Sequence, residues 1–178
     1  MPVHAMRSRV PLAVALRPLP SPPAMTATFR IDVVPLASAA DPHLAHDAAL
    51  IGLSHLKDLR RSRYYLISGM LDQAAARTVA ERLLRDPITE RALLQRPDAQ
   101  DRRVIEVQRK TGVMDPVEAS VIKGAADLGI ALTGVRVGTR VEVAGGSDAD
   151  LDRLAWKLLA NQAIEEAAID PAEAIRLK

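Results

Sequence analysis

The chain has 178 residues, 48% apolar and 26% charged, with a formal net charge of +2, a balance that argues against collagen, a disordered polymer or an integral membrane protein. Cysteine is absent, which removes disulfides, thiolate nucleophiles and cysteine-ligated zinc or iron–sulfur sites. Phe29, Tyr64, Tyr65 and Trp156 are the only aromatic residues, too few for an extended base-stacking surface.

Residues 1–28 read as a leader. They carry Arg7, Arg9 and Arg17 with no acid, which leaves residues 29–178 at net −1. The high sequence pI of about 9.2 therefore owes much to this segment and does not indicate a basic stripe for nucleic acid. Six of the twelve prolines fall at positions 2, 11, 18, 20, 22 and 23 and break both helix and sheet ladders, so residues 1–24 are expected to be unstructured. The apolar run Val10–Leu16 is interrupted by Pro11 and stopped by Arg17, a poor match to a signal peptide. Met25 is a possible alternative start, and a cytoplasmic location is expected, with no membrane span.

Two segments, 29–94 and 103–169, then follow the same order of signals. Phe29, Ile31 and Val33 alternate with Arg30 and Asp32, and Ile105 and Val107 with Glu106 and Gln108, as half-buried strands do. Asp41-Pro42 and Asp115-Pro116 come next, each a capping carboxylate before a proline suited to the first helical turn. Glu118 stands where it would complete a capping box with Asp115. The helices carry Leu44, Ala48 and Ile51 in one copy and Ile122 and Ala126 in the other, the second stopping at Gly129.

Two short strands per copy are predicted next, Leu56–Leu59 with Tyr64–Ile67 and Val135–Val137 with Val141–Val143, closing at Gly69 and Gly145. Second helices start after Asp72 and Ser147, with apolar faces Ala76, Val79, Ala80, Leu83 and Leu151, Leu154, Ala155, Leu158. They end at Asp86-Pro87 and near Asn161, and final strands follow at Arg91–Leu94 and Ala167–Ile169. The order β-α-β-β-α-β, twice, predicts an α+β fold of two ferredoxin-like units, 29–94 and 103–170, joined by a linker at 95–102 and followed by a tail at 171–178. Units of this size have marginal cores, so an intramolecular pseudo-dimer is expected.

The blocks Lys110-Thr111-Gly112-Val113-Met114-Asp115-Pro116, Val135-Arg136-Val137-Gly138 and Leu158-Leu159-Ala160-Asn161-Gln162-Ala163-Ile164-Glu165 resemble those of the PurS family, the small subunit of phosphoribosylformylglycinamidine synthase. The sequence departs from that pattern at Gln162-Ala163, where the family has Pro after Asn, and at Thr139, with Arg140 following, where it has Lys. The first copy is similar more loosely, through Asp41-Pro42, Arg60 with Tyr64, and Leu83–Glu90, and has Leu36-Ala37-Ser38-Ala39 in place of Lys-x-Gly-Val. A tandem of two such units also resembles the N-terminal region of the large single-chain synthase.

The resemblance implies a non-catalytic scaffold subunit in a C–N ligase complex of purine biosynthesis. That complex uses ATP, Mg and glutamine to convert formylglycinamide ribonucleotide to formylglycinamidine ribonucleotide. Its expected partners are a PurL-like synthetase and a PurQ-like glutaminase, between which the chain would aid ammonia transfer. The chain would bind none of these cofactors itself. Further self-association is also open.

The residues themselves show no phosphate-binding Gly-rich loop, no nucleophile elbow and no dinucleotide fingerprint. His43 and His46, with Asp41 and Asp47, have helical spacing for a metal, but a solvated face explains them as well, and no metal site is assigned. Arg60-Arg61-Ser62-Arg63-Tyr64-Tyr65 mixes basic and aromatic residues as an RNA-binding sheet would, although the second copy lacks the aromatics and no nucleic-acid partner is expected. The turn at Lys110, Gly112, Asp115 and Pro116 offers a place for an anion and is also similar to the ligand loop of ACT-type regulatory modules. A small-molecule sensor is therefore the alternative function. Arg136 and Arg140 are placed by the strand pattern at a sheet edge beside Gly138, with Arg60 and Tyr64 in the first copy, as candidates for subunit contact. Trp156 flanks the apolar stripe of the last helix, where a core or inter-unit contact outweighs ligand stacking.

Overall fold

Strand alternation begins three residues earlier than predicted, since Thr26 to Thr28 already belong to β1 (Thr26–Pro35). The computed structural model describes residues 26–37, 40–95 and 101–171. The expectation of an unstructured segment at residues 1–24, most of the 95–102 linker and all but the first residue of the 171–178 tail lie outside the described residues.

The predicted pairs of short strands are each one long strand, β2 (Lys57–Met70) and β5 (Leu132–Ala144). The sequence reading breaks them at Arg60–Arg63 and Gly138–Arg140, where polar residues and a glycine look like turns. In the structure these residues continue the alternation. They pair β2 with β5 antiparallel from Lys57 opposite Ala144 to Gly69 opposite Leu132. Each half is therefore β-α-β-α-β with three strands, which corrects the four-stranded ferredoxin-like order.

With β3 (Glu90–Leu93), β4 (Arg103–Arg109) and β6 (Glu165–Ile169), the described strands form one antiparallel sheet in the order β3-β1-β2-β5-β4-β6. Each half contributes its second strand to the middle and its third to an outer edge. Arg136 and Arg140 therefore lie on a central strand and not at a sheet edge.

Helix α1 (Pro42–Leu50) starts as predicted: the Asp41 carboxylate accepts from Leu44 N at 3.0 Å, with proline in the first turn. Asp72 caps α2 (Gln73–Val79), and Ser147 with Asp150 forms a capping box on α4 (Asp148–Leu154). Both of these helices run on into a π-helical turn, Ala80–Leu84 and Ala155–Leu159. Helix α3 (Glu118–Asp127) departs from expectation. It begins two residues after Pro116, has no side-chain cap, and buries Val121 and Ala125 where Ile122 and Ala126 were expected.

The apolar cores cross between the halves. One cluster joins Ile31, Val33, Tyr65 and Ile67 of β1 and β2 and the α2 face to Val121 and Ala125 of α3. The other joins Leu44 and Ala48 of α1 to Ile105 and Val107 of β4, Val141 and Val143 of β5, and the α4 face, with Trp156 packed against it. Each half thus places its first helix in a core containing strands of the other. Gly124 makes one of these contacts possible, since a Cβ there would meet Leu83 Cδ1 at 2.6 Å.

Candidate functional site

Strand β4 stops pairing with β5 at Gln108 opposite Gly138, while β5 continues down to Leu132. The N–H groups of Val135 and Val137 therefore need other acceptors, because an unpaired strand N–H at a half-buried edge is costly. Asp115 and Glu118 provide them. Asp115 accepts from Val137 N at 3.2 Å and from Val117 N at 2.9 Å, and Glu118 Oε1 accepts from Val135 N at 3.4 Å. Both carboxylates are thus drawn to the backbone of the strand and turn, which is why the predicted capping box on α3 does not form.

The turn between β4 and α3 and the exposed end of β5 enclose a cleft of about 330 Å³. Arg109, Lys110, Gly112, Asp115, Glu118 and Arg136 are among its lining residues, with Val113 and Met114 on its apolar side. Gly112 holds φ +87°, a left-handed conformation that favours glycine in the turn. Lys110 Nζ donates to the Gln162 carbonyl at 2.5 Å, and Arg136 Nη2 reaches Thr111 Oγ1 at 3.5 Å. The structure therefore brings together Lys110, Gly112, Asp115 and Arg136, while Pro116 is exposed beside the cleft.

The other candidate residues lie elsewhere, on the sheet face opposite the two helix-lined cores. Tyr64 is fully buried, its ring lying over Gly138, where a Cβ would meet Tyr64 Cζ at 2.2 Å. The Arg30 guanidinium stacks 4.1 Å from the ring centroid. Arg30 donates to Asp32 Oδ1 and Glu106 Oε1 at 2.9 and 2.7 Å, and Arg140 donates to Glu106 Oε1 and Glu142 Oε1 at 2.9 and 3.2 Å. Arg140 is thus held inside an ionic ladder that ties β1 to β4 and β5.

Burial pushes the Tyr64 hydroxyl well above its usual range, and the Glu106 carboxylate adds to it. Burial also pushes the Glu106 carboxyl up, but the hydrogen bonds and charges of Arg30 and Arg140 outweigh it and hold it below its usual range. Arg60 pairs with Asp58 at 2.8 Å, and Asp58 also accepts from Arg102. Tyr65 faces the opposite side of the sheet from Tyr64, in the first core, so the Arg60–Tyr65 segment presents no aromatic stacking face.

The sequence reading missed Arg30, Asp32, Glu106 and Arg109. Asp32 and Glu106 read only as the polar positions of alternating strands, yet they occupy matching places in the two halves, an acid among apolar neighbours that could have marked them. The last block has a local explanation. Asp86 Oδ1 accepts from Ile88 N and Asn161 Oδ1 from Ala163 N, while Glu90 and Glu165 accept from Asp86 N and Asn161 N. The Asp/Asn and Glu of this block therefore build the same turn in both halves. Asp41 is taken up by its helix cap and lies 3.5 Å from Arg61, and among the described residues no three His, Asp or Glu side chains are grouped to hold a metal.

The fold and the cleft define an α+β protein, one antiparallel sheet with helices over two cores and a polar surface cleft at a strand end. In its second half, residues 102–173 match the PurS family model, described as phosphoribosylformylglycinamidine (FGAM) synthase. Compared with curated proteins, the chain matches none. The match associates residues 102–173 with FGAM synthase. No described helix is long and apolar enough to cross a membrane.

Proposed function

We propose that the chain is a non-catalytic scaffold subunit of a cytoplasmic FGAM synthase complex. It bridges an ATP- and Mg-dependent synthetase and a glutaminase and aids the passage of ammonia between them. The PurS match over residues 102–173 is the observation that carries this reading. The first half, with its matching element order, acts as a second PurS-like unit, so that one chain supplies both halves of a pseudo-dimer.

The surface around the 110–117 turn suits a contact with a partner subunit. Met114 is 84% exposed, and Val117 and Ile164 leave apolar surface on the same half. Co-elution of the full chain with purified synthetase and glutaminase in size-exclusion chromatography tests the reading. A ternary complex is expected, weakened by Met114→Glu without loss of fold. Failure of the folded wild-type chain to join either partner would overturn it.

A further inference from the structure

The cleft beside the β4–α3 turn has a charge distribution that partner docking through Met114 does not explain. Three cations line it, Arg109, Lys110 and Arg136, against two carboxylates, Asp115 and Glu118. The carboxylates are engaged by backbone N–H groups of Val117, Val137 and Val135. The cations are not matched in the same way. Lys110 meets one carbonyl, Arg136 has a single long contact to a hydroxyl, and neither they nor Arg109 form an ion pair among the described residues.

Two guanidiniums and an ammonium around one concave site are suited to an oxygen-rich anion, since each guanidinium presents a planar fork of donors. A lone carboxylate would use only part of that set. The cleft volume of about 330 Å³ falls at the lower end of small-molecule sites, with room for more than an ion. Val113 and Met114 line it with apolar surface for an uncharged portion of the ligand.

We propose that this cleft binds the phosphate group of a small phosphorylated metabolite, with Arg109 and Arg136 clasping the phosphate and Lys110 at its rim. The proposal is independent of the scaffold reading: the isolated chain binds the phosphate whether or not it joins other subunits.

Isothermal titration calorimetry on the full chain tests it, with inorganic phosphate, ribose 5-phosphate, acetate and glutamine as separate probes. Saturable one-to-one binding of a phosphate compound is expected, tighter than acetate. Arg136→Gln and Arg109→Gln each weaken it roughly tenfold or more, the loss of a charge-assisted contact. Arg91→Gln, on the outer strand β3, leaves it unchanged. Tighter binding of ribose 5-phosphate assigns the cleft to a phosphorylated metabolite, and equal binding of inorganic phosphate assigns it to the free ion; both retain the phosphate site. Where a Gln variant fails to fold, Arg136→Lys, which keeps the charge and loses the fork, gives a partial loss. No phosphate binding, affinity indifferent to Arg109 and Arg136, or glutamine binding in place of phosphate would overturn the proposal, the last in favour of an amino-acid sensor.

Discussion

Gly138 stands where the two central strands meet, and the Tyr64 ring occupies the space its side chain would fill. Gly138→Ala should cost about 3 kcal/mol by overpacking, read as a lower urea midpoint, and the cost should shrink in a Tyr64→Leu background because the two sites share one volume. A cost that stays the same in both backgrounds would contradict the contact. Glu106 carries the second prediction at this scale. Its removal leaves Arg30 and Arg140 without their shared buried acceptor, so Glu106→Gln should lose about 3 kcal/mol. Its folded carboxyl ionises below the ordinary value of 4.5, so its stabilisation is present above about pH 4.5 and is lost as pH falls through the folded pKa. Urea titrations at falling pH should show a drop in wild type that is smaller in Glu106→Gln.

At the level of elements, helix starts were legible where a side chain had no competing donor. Asp41, Asp72 and Ser147 cap the helices they announce, and Asp41→Ala should cost about 1 kcal/mol in thermal unfolding. Asp115 has the same local sequence, Asp before Pro, but a strand N–H lies within reach, and that donor comes from residues 22 positions away in the chain. Asp115→Ala should therefore loosen the end of β5, seen as faster amide exchange at Val137, while leaving α3 helicity nearly unchanged. The long strands were misread for a related reason. Arg60–Arg63 and Gly138–Arg140 look like turns until each is seen to be the partner of the other across the sheet.

For the whole molecule, the α+β class could be read from order and periodicity, because those are local patterns. The crossing of the cores could not, since it depends on which helix lies over which strands. Because α3 shares one core with α2 and α1 shares the other with α4, residues 26–95 and 101–171 expressed separately should each lack part of a core and recover native circular dichroism only on mixing. Two cooperatively folded monomeric fragments would contradict the shared cores. Of the site, the 110–116 turn was visible in the sequence, whereas Arg109 entered it only through the end of strand pairing. The scaffold reading is tested most directly by comparing glutamine-driven with ammonium-driven FGAM synthesis by synthetase and glutaminase, with and without the chain. Added chain should raise the glutamine-driven rate and leave the ammonium-driven rate nearly unchanged, with no ATPase or glutaminase activity of its own; a glutamine-driven rate indifferent to the chain would contradict the account.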